Sequence, residues 1–201
     1  MKLYYKAGAC SLSPHIALRE AGIEFEMEAV DLQTKRTESG ANFMQVNGKG
    51  YIPALQLDNG KVLTEGAAIV QYIADLKPDS GLAPANGSEA RYQLQSWLSF
   101  IYTELHKPLA SMFNPAQSQD WKAAAQALLN KRLDWLVGEL GESEFLLGDR
   151  FTVADGYLFT VLGWAGPVGL SLAPWPSLQA YRSRIGTRPK VIEALKAEGL
   201  I

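Results

Sequence analysis

An α/β half followed by an all-helical half is the architecture that this 201-residue sequence predicts. Three observations carry the prediction. Strand and helix patterns alternate up to about residue 80, in the order β-α-β, a connecting stretch, then β-β-α. A segment rich in Pro, Gly, Ala, Asn and Ser then interrupts them, as a linker does. Beyond it only helical spacing recurs. The expected organisation is a first domain over 1–80, a linker over 81–87 and a helical domain over 88–201.

In the first half, Lys2–Tyr5 is a short apolar strand. Ile16, Ala17, Leu18 and Ala21 have helical spacing, so 11–21 reads as a helix ended by Gly22, with Pro14 tolerated in its first turn. Residues 27–30 form a second strand, and the β-α-β order implies a right-handed crossover. The charged stretch 33–42 reads as a loop or short helix. Apolar runs at 52–57 and 62–63 flank Asp58-Asn59-Gly60-Lys61, and Asn-Gly at that place is a strong hairpin signal. Ile69, Ile73 and Leu76 then line one stripe of a helix that ends before Pro78.

In the second half, Ser88 is placed to cap a helix that buries Leu94, Trp97, Leu98, Ile101 and Leu105. A long helix follows, with Trp121, Ala125, Leu128, Leu129, Leu136 and Leu140 on its apolar side and Gly141 at its end. Thr152-Val153-Ala154-Asp155 has the form of a capping box. The helix it opens, through Leu158, Leu162 and Trp164, is apolar on nearly every side and should be the buried centre of this half. Pro176 and Pro189 each introduce a further short helix.

Composition excludes several functions. Nineteen basic and twenty-one acidic side chains give a net charge of −2, with no basic run to track phosphates, so nucleic acid is a poor partner. The N-terminus enters a strand directly, and the longest apolar stretch, within 154–167, is too short to span a bilayer. A cytoplasmic location without membrane association is expected. One cysteine rules out a disulfide framework, and with only two histidines beside it no metal centre is expected.

That single cysteine is the centre of the chemistry. Cys10 lies between the small-residue loop Ala7-Gly8-Ala9 and the first helix. Helix-start N–H groups and the macrodipole favour a thiolate there. The motif is C-x-x-S with no second cysteine, so a reacting Cys10 must find its partner outside the chain; a buried, inert thiol is the alternative. Ile52-Pro53 opens a strand, where proline is common. Beside a thiol loop, a cis peptide there would let the Ile52 backbone pair with an extended ligand. Thr64-Glu65-Gly66-Ala67 opens the next helix, where N–H groups can take a carboxylate and Glu65 an ammonium, although an acidic first turn alone would look the same. Ser99, Thr103 and His106 recur at i, i+4 and i+7 and are expected on one polar face, with His106 able to polarise a thiol. Lys35 is a candidate carboxylate partner, indistinguishable by itself from any surface lysine.

Taken in order, the thiol loop, the x-Pro strand, the Glu-Gly helix start, the helical second half and the T-V-A-D box resemble the cytosolic glutathione S-transferases over the whole chain. Gly8-Ala9-Cys10-Ser11-Leu12-Ser13 and Glu104-Leu105-His106-Lys107 are similar to the bacterial beta class. The resemblance implies a thioredoxin-like first domain that binds glutathione as co-substrate and a helical bundle that shapes an electrophile pocket. Cys10 would face the glutathione sulfur, Ile52 would pair with its cysteinyl unit beside cis-Pro53, and Glu65 and Gly66 would hold the γ-glutamyl end. Lys35 would reach the glycine carboxylate. In a homodimer Ser99, Thr103 and Glu104 would reach glutathione from the partner subunit, and His106 would lie near the thiol. Catalysis is expected to rest on Cys10 and His106, with Phe113, Tyr157 and Trp164 as pocket walls.

Two positions depart from the pattern: Gly66 where many relatives have serine, and Ser99 where they often have asparagine. Each removes or shortens a contact worth roughly 1.5–3 kcal/mol when the partner is charged. Tyr4 and Tyr5 are read as strand residues. The function implied is conjugation of the glutathione thiolate to small apolar or aromatic electrophiles, as in detoxification. Cys10-dependent thiol transfer, reduction or dehalogenation is one alternative, and a non-enzymatic scaffold of the same fold is another.

Overall fold

The computed structural model describes the whole chain, Met1–Ile201. It forms two compact units, Met1–Ala83 together with Thr187–Ile201, and Pro84–Gly186.

The first unit is built on a five-stranded mixed sheet. Its strands are β1 (Lys2–Tyr5), β2 (Glu26–Asp31), β3 (Arg36–Thr37), β4 (Ala54–Gln56) and β5 (Val62–Thr64), in the order β3-β2-β1-β4-β5. β1 runs parallel to β2, with Leu3 opposite Met27, and antiparallel to β4, with Leu3 opposite Leu55. Helix α1 (Leu12–Glu20) makes the β1–β2 crossover, and α2 (Gly66–Leu76) packs beside it after the β4–β5 hairpin. Leu3, Leu55, Ile69 and Ile73 are fully buried. Each such side chain contributes about 1.5–3 kcal/mol relative to exposure. Leu76, expected on the same stripe as Ile69 and Ile73, is 42% exposed as the last residue of α2.

Two features of this unit differ from the sequence expectation. The stretch 33–42 contains the short edge strand β3, which pairs Thr37 with Val30 and Arg36 with Asp31. The last helix, α8 (Pro189–Ala197), packs on α1 and belongs to this unit, whereas the sequence placed 88–201 together. Arg188 explains part of that packing, through paired bonds from Nε and Nη2 to the two oxygens of Glu20 at 2.7 and 2.9 Å.

The second unit is helical. The Ser88 side chain accepts from Arg91 N–H and opens α3 (Glu89–Phe100). A π-helical turn, Ile101–His106, leads into α4 (Lys107–Met112). Pro108 stands just beyond that turn, and its ring would collide with the carbonyl four residues back in an unbroken α-helix. The wider turn gives the room. In α5 (Gln119–Leu140) the buried stripe is Ala125, Leu129, Leu133, Leu136 and Leu140. Trp121 and Leu128, expected on it, lie roughly 80–100° off it at 100° per residue and are exposed. In α6 (Val153–Leu162) all ten residues are buried. Its capping box forms, with Asp155 accepting from Thr152 N–H at 2.7 Å, from Leu146 N–H at 2.8 Å and from the Tyr181 hydroxyl at 2.6 Å. Tyr181 lies in α7 (Pro176–Gly186). No helix is long and apolar enough to cross a membrane.

Candidate active site

In the first unit the thiol loop is pinned by its own backbone. Ser11, fully buried, accepts from Lys6 N–H and donates to Lys6 C=O, both at 3.2 Å. Leu12 N–H bonds Ala9 C=O and Ser13 N–H bonds Cys10 C=O, so Cys10 immediately precedes the first turn of α1. Its half-buried thiol donates to the Ile52 carbonyl at 3.4 Å. The Ile52–Pro53 peptide is cis, as the sequence reading expected. Gly66 abuts the same proline: a β-carbon there would lie 3.7 Å from Pro53 Cγ.

Glu65 has φ +70°, a conformation that side chains other than glycine's rarely adopt, and it sits at the entrance to α2. Its carboxylate accepts from Lys49 Nζ at 2.6 Å and from the Tyr51 hydroxyl at 2.7 Å. The bond to Glu65 holds the Lys49 ammonium above the ordinary lysine range. Lys35 also has positive φ, +57°, and its ammonium donates to Gly50 C=O at 2.7 Å, one residue before Tyr51. Cys10, Lys35, Ile52, Pro53, Glu65 and Gly66 are therefore joined by direct contacts or by the short segment 49–53. Lys49 and Tyr51 were not foreseen. Nothing in their spacing separates them from ordinary loop residues; only the strained Glu65 brings them into the cluster.

In the second unit, Ser99 at the end of α3 and Thr103 in the π turn are exposed, each donating its hydroxyl back to a backbone carbonyl one turn earlier, Gln95 and Ser99 respectively. Glu104 accepts from Arg132 Nε at 2.7 Å. His106 does not share their face, which corrects the i, i+4, i+7 reading. The π turn rotates it inward, where Nδ1 is hydrogen-bonded to the Tyr157 hydroxyl. Tyr102 and Trp164 stand edge-on to its ring at centroid distances of 5.5 and 4.9 Å, and Phe113 lies 6.3 Å from Trp164. Burial, assisted by the neighbouring Lys107 charge, lowers the His106 pKa to about 4. At neutral pH the ring is uncharged and keeps one N–H donor. Tyr102 stands with the aromatic residues that the sequence suggested as pocket walls, of which Tyr157 and Trp164 are buried and Phe113 is half exposed.

The first unit offers a thiol beside a backbone carbonyl and a helix start, and an acidic side chain committed to ammonium and hydroxyl donors; the second, taken by itself, offers an uncharged imidazole in an aromatic cage. Residues 1–75 match the family described as the glutathione S-transferase N-terminal domain, and residues 100–189 match its C-terminal domain. Glutathione S-transferase GstA of Escherichia coli O157:H7 is 47% identical, with both chains covered in full. The structure of a ternary complex of BphK, a bacterial glutathione S-transferase, superposes with a TM-score of 0.98 at 58% identity, over 99% of this chain and all of that one. A bacterial beta-class enzyme of Sphingomonas chungbukensis gives 0.96 at 49% identity, with both chains fully covered. With both domain families matched in order along one chain, and a relative near half-identical from end to end, the chain belongs to the glutathione S-transferases.

Proposed function

We propose that the protein is a beta-class glutathione transferase that joins the glutathione thiolate to small apolar or aromatic electrophiles. The observation that carries the reading is the contact of Cys10 Sγ with the Ile52 carbonyl beside a cis proline, at the entrance to α1. A sphingomonad relative 51% identical to this chain was solved in complex with glutathione, which supports the same ligand here.

In this reading the glutathione sulfur lies at Cys10 and its cysteinyl unit runs along Ile52 and Pro53. Glu65 takes the γ-glutamyl ammonium, the first N–H groups of α2 at Gly66 take the adjoining carboxylate, and Lys35 takes the glycine carboxylate. Bringing a thiol from the reference ~8.5 to a thiolate-dominant state at neutral pH requires a shift of about two units, ~2.7 kcal/mol of differential stabilisation. His106, uncharged, supplies a hydrogen bond in place of a counter-charge. The thiolate attacks the electrophilic carbon, a thioether forms and the leaving group departs with its electron pair. Tyr102, Phe113 and Trp164 offer the electrophile an aromatic wall. A homodimer is part of the proposal, with Ser99, Thr103 and Glu104 of each subunit directed at the partner's glutathione, and the setting is cytoplasmic detoxification.

The test is calorimetric titration of the unmodified protein with glutathione at neutral pH. Saturable binding in the micromolar to low millimolar range supports the reading, and no heat at several millimolar overturns it in favour of a scaffold. Conjugation and disulfide-exchange assays on the unmodified protein and on Cys10→Ala then separate the two enzymatic roles. Retained conjugation with lost disulfide exchange assigns exchange alone to the Cys10 thiol.

A further inference from the structure

The last residues of the chain reach the thiol loop. Glu198, just past α8, is buried to the point that its carboxylate is out of solvent altogether, and it divides its two oxygens between two partners. Oε2 accepts from Gly8 N–H at 2.9 Å, two residues before Cys10. Oε1 lies 2.8 Å from Nδ1 of His15, a ring on α1 that is itself fully buried. Arg19 Nε donates to the other ring nitrogen, Nε2, at 2.7 Å. Arginine keeps its protons at all relevant pH, so Nε2 must accept and the ring proton sits on Nδ1, facing Glu198. Both Glu198 oxygens are acceptors to fixed donors. Leu200 closes over the same point: a β-carbon on Gly8, which has φ +69°, would lie 3.3 Å from Leu200 Cδ2.

We propose that Glu198 is a positioning residue for Cys10, which sets the thiol loop from the far end of the chain by holding the Gly8 amide against the buried His15. A buried carboxylate is costly unless its charge meets donors. If α8 needed only to be tied to α1, the partly exposed Arg188–Glu20 pair already does that without touching the loop. What Glu198 adds is the bond to Gly8, and through the tight turn between Gly8 and Ser11 that bond fixes where Cys10 Sγ meets Ile52. The consequence for glutathione rests on the proposed function; the consequence for Cys10 does not.

The comparison is Glu198→Gln against Glu20→Gln. A glutamine side chain has a single acceptor oxygen, so in Glu198→Gln either Gly8 or His15 loses its partner and an amide N–H2 faces a donor. Glu20→Gln weakens the same α1–α8 packing away from the loop. Cys10 alkylation by iodoacetamide is followed across pH, together with hydrogen exchange of residues 7–11 and glutathione binding. Only Glu198→Gln is expected to displace the alkylation profile, changing the rate at neutral pH by about tenfold, and to raise exchange in the loop. Identical alkylation profiles and loop exchange in the two variants overturn the proposal and leave Glu198 a packing residue. Should Glu198→Gln fail to fold, Leu200→Ala carries the test, since it removes the side chain over Gly8 and no charge. Faster exchange at 7–11 supports the role and unchanged exchange overturns it. Unmodified protein that binds no glutathione defeats the proposed function, while the alkylation comparison still decides the role of Glu198.

Discussion

The Tyr157 hydroxyl and His106 Nδ1 are hydrogen-bonded to each other inside a cage of aromatic rings, one from the buried centre of the helical unit and one from its π turn. That pairing gives the imidazole a fixed partner where water is scarce, and the surrounding burial keeps it uncharged down to a pKa of about 4.

A pH dependence of stability follows. The ordinary histidine value is 6.5, so between pH 6.5 and about 4 the unfolded chain binds a proton at His106 that the folded chain refuses. Stability is fully present above pH 6.5 and falls as pH falls through that window, by on the order of 3 kcal/mol at most. His106→Asn removes the titrating group. Urea unfolding at pH 7 and pH 4.5 should show a smaller drop for the variant than for the parent, and equal drops would mean that His106 takes up its proton in the folded state without penalty.

If Glu65 holds glutathione as proposed, it sets stability against binding. A non-glycine residue at φ +70° and ψ 111° stores about 1–3 kcal/mol of backbone strain. The half-exposed Lys49 pair and the Tyr51 bond return little of it. Glu65→Gly should therefore gain about 1 kcal/mol in urea unfolding while glutathione binding is lost to calorimetry. A variant that is less stable than the parent would show that the Lys49–Glu65–Tyr51 contacts outweigh the strain.

Most of the architecture was legible because it rests on strong local signals. The Asn59-Gly60 turn, the Ser88 cap and the Thr152–Asp155 box each specify one backbone geometry, and α6 is apolar enough to have no outward face. What escaped depends on long-range partners. His106 lies three residues past Thr103 and an α-helical count assigns it their side; the widened turn before Pro108 rotates it inward. Lys49, Tyr51 and Glu198 look like surface residues in the sequence. Their contacts come from a strained Glu65 and from a chain end that folds back on α1, neither of which has a periodic signature. Cys10, Pro53 and Glu65 could be singled out as candidates because each is an unusual residue at an element's entrance.

Strand β3 escaped for the same reason, and its anchor is testable. Glu28 on β2 accepts from the Ser39 hydroxyl and from Lys2 Nζ at 3.0 Å, which ties the end of β3 to the sheet. The Ser39 bond first, then those from Thr37 and Lys2, lowers the Glu28 pKa from 4.5 to about 2. A carboxyl held below its unfolded value stabilises the fold above pH 4.5, and that stability is lost as pH falls toward 2. Ser39→Ala deletes the leading contribution, so an NMR titration should find Glu28 moved back toward 4.5 and the acid unfolding limb moved up with it. Lys35 precedes β3 directly, and its carbonyl is bonded by Phe43 N–H. Loosening β3 therefore loosens the residue proposed to hold the glycine carboxylate. The same variant should bind glutathione a few-fold more weakly, while des-glycyl glutathione, γ-glutamylcysteine, should lose nothing, because the contacts proposed for it at Glu65 and Ile52 lie across the sheet from β3, at the entrances to α2 and β4. Equal losses for both ligands would place the effect of β3 somewhere other than Lys35.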